Sequence, residues 1–164
     1  MPKTKVRVTK LKISLPFQLG EIEIEQDERQ QMAAWELYVE IATRIAVQPL
    51  GAEEGMLREA LSSLYSIFAT TREILRHAGP SIAKSPNSLG AISIEVLNKG
   101  LRPFLAKWHP LLLAYEQQRL PDKTSAEHEK QWPSADALRN ELTHVQQQMS
   151  IYATALSQIA GVNT

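Results

Sequence analysis

The side chains of this chain that are best placed to do chemistry together lie between residues 98 and 110. On a helix, Lys99, Arg102 and His109 share one face, because they are separated by three and seven residues. Three potential cations on one face could bind an anion, such as a phosphate or the carboxylate of a partner protein. Trp108 lies beside them and could close a pocket. We therefore predict a ligand- or anion-binding site at these four residues.

A plainer interpretation of the same segment is a solvated basic face, with Trp108 anchoring the hydrophobic core. Two prolines, Pro103 and Pro110, bear on the choice. A proline inside a helix costs about 3 kcal/mol, because it removes a backbone hydrogen bond and clashes with the preceding turn. Costly elements often have a functional reason, which favours a site without identifying its ligand. Both interpretations stay open at this point.

The sequence was also searched for motifs of catalysis and metal binding. It has no Cys, which excludes thiol catalysis and thiolate metal sites. A di-iron bundle needs two Glu-x-x-His motifs, and there is one, from Glu141 to His144. No phosphate-binding glycine loop, dinucleotide fingerprint or serine elbow occurs. The sequence therefore favours a protein that is not an enzyme, with no catalytic residue, no cofactor and no metal.

Length and composition limit the remaining classes of function. With 164 residues, 43% of them hydrophobic, residues 1–164 can form a single domain with a buried core. The 18 basic and 18 acidic residues give a net charge of +0, so nothing favours nucleic acid or an anionic membrane surface as a partner. No apolar run is long enough to span a bilayer. The N-terminus alternates in polarity, unlike a signal peptide, so we expect a cytoplasmic protein.

Residues 1–26 are predicted to form a β-hairpin, because residues 5–15 and 20–25 alternate between apolar and polar side chains, which is typical of β-strands. A turn at residues 16–19 gives one register that matches apolar with apolar and basic with acidic side chains. Since Val6 and Val8 are out of phase with that register, we expect a bulge near Thr9. A two-stranded hairpin is marginal alone, so it must lie on the helices or pair with another chain. The predicted pairs are Ile13–Ile22, Leu11–Ile24, Lys12–Glu23 and Lys10–Glu25.

Residues 27–160 carry apolar side chains at helical spacing. The pattern predicts four long helices and a short one, with the main loops at 79–90 and 120–133. The third helix crosses both prolines, and its unbroken apolar stripe favours one kinked rod over a break near Arg102. The predicted helices are 28–47, 53–77, 88–119, 125–131 and 134–160.

Each long helix has one apolar stripe with steps of three and four residues, the pattern of a bundle seam. We therefore predict an all-α fold, a mostly antiparallel four-helix bundle with an N-terminal β-hairpin. The predicted core positions are Met32, Trp35, Val39, Ala42 and Ala46 in the first helix, widened by Ile41 and Ile45, Leu57, Leu61, Leu64, Phe68, Thr71, Leu75 and Ala78 in the second, Ile94, Leu97, Leu101, Phe104, Trp108, Leu111 and Tyr115 in the third, and Leu138, Leu142, Val145, Met149, Tyr152, Leu156 and Ile159 in the fourth.

The stretch Leu-Asn-x-x-Leu-Arg-Pro-Phe-Leu-x-Lys-Trp-His-Pro, from Leu97 to Pro110, resembles a segment of uncharacterised small all-helical bacterial proteins. Some of those proteins are encoded near defence or conflict gene sets. The resemblance extends over about residues 35–160. It implies a prokaryotic cytosolic interaction module without known catalytic residues, and it assigns no site.

Two functions follow as hypotheses. The first is a non-enzymatic protein-interaction or regulatory module of a cytosolic assembly, whose partner is another protein or a second copy of the chain. The alternative is an enzyme or a sensor of a small molecule or anion, with a polar pocket near Arg102, Trp108 and His109. A concave, partly buried pocket at Arg102 and His109 with Glu or Asp partners favours the alternative, and a convex solvated face favours the first.

Overall fold

The computed structural model describes residues 9–44, 51 and 55–162. The prediction of a mostly helical chain with an N-terminal antiparallel hairpin is confirmed. The elements in chain order are β1 (Thr9–Ser14), β2 (Glu21–Gln26), α1 (Glu28–Ala42), α2 (Leu57–Ala78), a 3-10 turn (Pro80–Ala83), α3 (Leu89–Glu95), a π-helical segment (Val96–Leu101), α4 (Arg102–Glu116), α5 (Ser125–Lys130) and α6 (Ala135–Ala160).

Compared with the prediction, α1 ends earlier and α2 begins later. Residues 43–44 and 55–56 lie outside any helix, and α2 begins at Leu57. The predicted helix ends at residues 47 and 53 fall outside the described residues, as do Val6 and Val8, on which the predicted bulge depended.

The predicted register of the hairpin is confirmed. The cross-strand neighbours are Leu11 with Ile24, Ile13 with Ile22, Lys10 with Glu25 and Lys12 with Glu23. Ile13 and Ile24 are buried in the same hydrophobic core as the helices. The hairpin therefore lies on the helices of its own chain, as one of the two alternatives required.

Two contacts fix the hairpin to the helices. The backbone nitrogen of Phe17 donates to Oε1 of Gln148 on α6 at 2.6 Å. At the other end of the hairpin, the side-chain nitrogen of Gln26 donates to the carbonyl oxygens of Gln158 and Ile159, at 3.2 and 3.1 Å. These carbonyls belong to the last turn of α6, where no further helical turn could satisfy them.

The run from α3 through the π-helical segment to α4 is helical without interruption from Leu89 to Glu116. It therefore does not break near Arg102, and Pro103 lies in the first turn of α4 while Pro110 lies inside it. A π-helix has more residues per turn than an α-helix, so residues 96–101 depart from the regular α-helical spacing.

The apolar stripe predicted for the third helix, now the run from α3 to α4, is only partly buried. Its centre is confirmed and its last position packs partly buried against the core, whereas the predictions for Ile94 and Leu111 are wrong. The residues Leu97, Leu101, Phe104 and Trp108 are buried, Tyr115 is half-buried, and Ile94 and Leu111 are exposed.

The stripes predicted for α2 and α6 are the faces that pack into the core. All seven predicted positions of α6 are buried, and in α2 Leu75 and Ala78 alone are partly exposed. Gly161 ends α6 in the left-handed conformation, with a φ of 75°. The N-terminus of α5 carries a capping box formed by Thr124 and Glu127.

The predicted core face of α1 is right at Ile41, which is buried, and wrong in its main stripe. Met32, Trp35 and Val39 are 62%, 48% and 39% exposed, and the buried apolar side chains lie on another face of the helix. That face contains small residues, which let α1 approach both α6 and α2 closely. Helix α1 therefore carries two overlapping apolar stripes. The stripe with the smaller side chains packs against α6 and α2, and the other stripe is exposed. The members of the packed stripe are Ala33, Ala34, Leu37 and Ile41.

The N-terminus of α2 is capped from a distant part of the chain. The Glu129 carboxylate is buried and accepts hydrogen bonds from the backbone nitrogens of Leu57 and Arg58, at 2.6 and 3.2 Å. A carboxylate at this position also interacts favourably with the helix dipole. Within the described part of the chain, no helix is both long and apolar enough to cross a bilayer.

Candidate functional site

Arg102 and His109, two of the four predicted site residues, line one groove between α2 and α4. Lys99 and Trp108 do not. Lys99 is exposed and pairs with Glu95, one turn earlier on the helix, at 2.6 Å. The structure therefore brings two of the four residues together in this groove and places the other two outside it, and we centre the candidate site on the groove.

Trp108 is a core residue with one polar contact. Its Nε1 donates to Oε2 of Glu141 at 2.6 Å, and its ring meets the edge of Trp132 at a centroid distance of 6.0 Å. Lys107 donates to the other oxygen of the same carboxylate. Hydrogen bonds from Lys107 and Trp108 hold the pKa of Glu141 below its ordinary value.

These contacts also bear on the Glu141 to His144 motif. Glu141 joins α4 to α6 through its two donors, and among the described residues no group of three His, Asp or Glu side chains converges as a metal site would require. The part of the chain that the structure describes thus gives this carboxylate a structural role.

The groove between α2 and α4 has a volume of about 410 Å³. Apolar side chains form its floor and walls, and two arginines and a histidine lie along it. Its α2 side consists of Tyr65, Phe68 and Arg72, and its α4 side of Arg102, Leu105, Ala106, His109, Pro110 and Leu113. Apolar side chains here are unusually accessible, since Tyr65 is 62% and Leu113 46% exposed. We call this surface the α2/α4 groove.

The positive charge of the groove is concentrated around Phe68. The guanidinium carbon of Arg102 lies 5.0 Å from the Phe68 ring centroid, and that of Arg72 lies 5.9 Å from it. Arg102 also donates to Oδ1 of Asn98, through Nε at 3.2 Å and Nη2 at 3.1 Å. Neither arginine forms an ion pair with any residue in the described ranges. Both guanidinium groups are therefore held in place with their charge uncompensated.

At the opposite end of the groove, beside His109, the positive charge of Arg58 is compensated by a carboxylate. Arg58 forms an ion pair with Glu116 at 2.6 Å, and its Nη1 lies 3.4 Å from Nε2 of His109. Arg58 can donate to this nitrogen only when the nitrogen is unprotonated. The His109 ring also meets the edge of Tyr65 at a centroid distance of 5.9 Å. We conclude that His109 shapes the groove wall, while Arg72 and Arg102 supply its charge.

A second apolar surface lies on the exposed face of α1, formed by Met32, Trp35 and Val39, and we call it the α1 ridge. The Trp35 ring stacks on Tyr38 at a centroid distance of 5.9 Å, which fixes its orientation. Beside the ridge, a cleft of about 580 Å³ separates α1 from α2. The acidic side chains lining that cleft are Glu36, Glu40 and Glu73.

Sequence reasoning missed the α2 half of the groove. Tyr65, Phe68 and Arg72 are spaced by three and four residues, so the sequence did place them on one helical face. It did not show that this face lies beside Arg102, because that depends on which sides of α2 and α4 pack together.

A scan against family models, a search of curated proteins and a search of solved structures each found no match to this chain, so its function is argued from the groove and the ridge alone.

Proposed function

We propose that this protein is a non-enzymatic protein-interaction module and that the α2/α4 groove binds an apolar segment of a partner that carries a carboxylate. The observation that carries this proposal is the pair of uncompensated arginines, Arg72 and Arg102, beside the buried ring of Phe68 in an otherwise apolar groove.

The apolar part of the groove supports binding of a hydrophobic side chain. Tyr65 and Leu113 project into solvent, with Phe68 and Leu105 below them. Burying such surface is favourable by roughly 25 cal/mol per Å². Large exposed apolar surfaces on water-soluble proteins commonly mark places where another molecule binds.

The arginines support a carboxylate on the partner. A guanidinium group offers two parallel donors to a carboxylate, and that of Arg102 lies over the Phe68 ring with its carbon 5.0 Å from the centroid. Arg102 is already oriented by Asn98, so little side-chain freedom is lost on binding. An anion alone would bind weakly at such an open site, and the apolar floor supplies the remaining affinity.

A sensor of an apolar anion is the alternative that a specific observation favours. Arg102 and His109 lie in one concave groove, and its volume of about 410 Å³ lies in the usual range for small ligands. The Glu or Asp partners that the hypothesis also required are absent from the described residues that line the groove. Against it, most ligand sites enclose their ligand, whereas Tyr65 and Leu113 are open to solvent.

The proposal also covers the arrangement of the helices and the setting in which the protein works. We infer a mostly antiparallel four-helix bundle formed by α1, α2, the α3–α4 run and α6, which the packing of α1 on α6 and α2, and of α2 on α4, supports. We also propose that this bundle is a single domain within a cytosolic assembly. The absence of Cys supports that location, and the resemblance at Leu97 to Pro110 favours a bacterial assembly connected with defence.

Selection of peptides from a random display library on the intact protein tests the proposed function. We expect enriched sequences to combine apolar residues at helical spacing with at least one Asp or Glu. Arg102→Glu should weaken their binding about tenfold or more, because a hydrogen bond to a charged group is worth roughly 1.5–3 kcal/mol.

Lys99→Glu is the matched control for that selection. It makes the same change of charge on an exposed residue of the same helical run, away from the groove. Selected peptides should bind this variant as they bind the wild type. Equal weakening by both variants would show that net charge, not the groove, determines binding, and would overturn the proposal.

A further inference from the structure

We propose that the α2/α4 groove receives the α1 ridge of a second copy of this chain. This inference rests on the proposed function, because it names the partner that the groove binds. Its occupant is a helix with exposed apolar side chains and nearby carboxylates, which is the chemistry that the groove favours.

The ridge has the form of a helix that binds in a groove. Met32, Trp35 and Val39 are separated by three and four residues, so their side chains form one line along α1. All three are exposed, although their spacing is that of a buried seam. Trp35 is held by its stacking on Tyr38, so a rigid aromatic side chain is available as an anchor.

The charges of the two surfaces are complementary. Glu36 and Glu73 lie beside the ridge, and neither forms an ion pair with a residue that the structure describes. Glu40 lies there too, bound to Arg44 at 3.1 Å. The groove presents Arg72 and Arg102 in the same uncompensated state. Apolar contact and opposite charge therefore occur together on both surfaces.

The ridge and the groove of one copy lie on different flanks of α2. The groove takes Tyr65, Phe68 and Arg72 from that helix, whereas the cleft beside the ridge takes Glu73 and His77 from its other flank. The contact therefore joins unlike surfaces of two copies. Such head-to-tail association leaves one free ridge and one free groove at the ends of every open assembly.

Two single-site variants test this arrangement. Trp35→Ala removes the anchor of the ridge and leaves the groove intact, and Arg102→Glu does the reverse. Because both residues are exposed, each variant should melt within a few degrees of the wild type. In sedimentation velocity, we expect the wild-type mass to rise with concentration and each variant to stay monomeric.

An equimolar mixture of the two variants is the decisive sample. The intact ridge of Arg102→Glu should fill the intact groove of Trp35→Ala, and the complex should stop at the mass of two chains. A wild type that stays monomeric at all concentrations, a mixture that stays monomeric although the wild type associates, or a single variant that dimerises by itself would each overturn the head-to-tail contact.

The failures of the two proposals can be distinguished. If the wild type is monomeric but display-selected acidic peptides bind the groove, the partner is another protein and the proposed function stands. If neither copies nor peptides bind, both proposals fail. Glu36→Lys provides a second ridge variant that retains Trp35. This variant should self-associate more weakly than the wild type, as Trp35→Ala does.

Discussion

The ring of Phe17, at the tip of the hairpin, lies directly on the backbone of Gly100 in the π-helical segment. A Cβ atom added to Gly100 would be 2.3 Å from Cδ2 of that ring, which no real contact allows. Phe17 and Gln18 both have positive φ, at 55° and 58°, an unfavourable conformation for residues other than glycine. The turn keeps this conformation because the Phe17 ring and backbone are both held by the helices.

Gly100→Ala should therefore destabilise the protein, even though alanine is favoured over glycine in a helix by about 1 kcal/mol. We expect a net loss of roughly 1–3 kcal/mol in the free energy of unfolding, because the ring must move. Urea unfolding measures the loss. In a Phe17→Ala background the same substitution should cost less or become stabilising, and an equal cost in both backgrounds would mean that the ring does not limit the site.

Trp35→Ala should cost less than about 1 kcal/mol of stability, because the side chain is 48% exposed and its ring stacks on the neighbouring Tyr38 of the same helix. Leu37→Ala, on the buried face of the same helix, should cost roughly 2–5 kcal/mol through lost burial and the cavity it leaves. Thermal or urea unfolding compares the two. A larger loss of stability for Trp35→Ala than for Leu37→Ala would mean that the face of α1 containing Trp35 is the buried one, as the sequence pattern predicted.

Glu141→Gln should lower stability at neutral pH and not at low pH. The pKa of Glu141 is held below its ordinary value by Lys107 and Trp108, so its contribution is present above the unfolded-state pKa. That contribution is lost as the pH falls through the lower folded-state pKa. Since the carboxylate is 43% exposed, solvent screening limits the effect to below about 1 kcal/mol. Urea titrations at pH 7 and pH 3 test this, and an equal difference at both would indicate packing instead of charge.

Glu129→Ala should destabilise the protein by about 1–3 kcal/mol, because the backbone nitrogens of Leu57 and Arg58 would lose their acceptor in a buried position. Amide hydrogen exchange should show the largest increase in the first turn of α2. Glu127→Ala is a useful comparison, since it removes an exposed capping contact of the short helix α5. An increase of exchange confined to α5 in both variants would contradict the capping role of Glu129.

The hairpin and α6 could be predicted because each has one self-consistent pattern. In the hairpin, a single register satisfies both the apolar and the charged face, and every predicted pair is present. In α6, the large apolar side chains that are buried all lie on one stripe, with steps of three and four residues. Local pattern and tertiary packing agree in these elements, so the sequence alone identifies the buried face.

The face of α1 and the groove could not be predicted for a common reason. Helix α1 carries two apolar stripes, and the choice between them depends on how closely small residues allow α6 and α2 to approach. The groove combines Phe68 with Arg102, which are distant in sequence and meet only when two helices pack. The segment 98–110 did draw attention to Arg102 and His109, but it joined them to Lys99 and Trp108, which point elsewhere.

Protection of a single thiol would test most directly whether the α2/α4 groove is the binding site. The chain contains no Cys, so an Ala106→Cys variant places one thiol in the groove, and a Lys99→Cys variant places one outside it. We expect a peptide selected on the wild type to slow maleimide alkylation of the Ala106→Cys variant in proportion to its occupancy, and to leave the Lys99→Cys variant unaffected. Alkylation of both variants at unchanged rates, at saturating peptide, would show that binding occurs elsewhere on the protein.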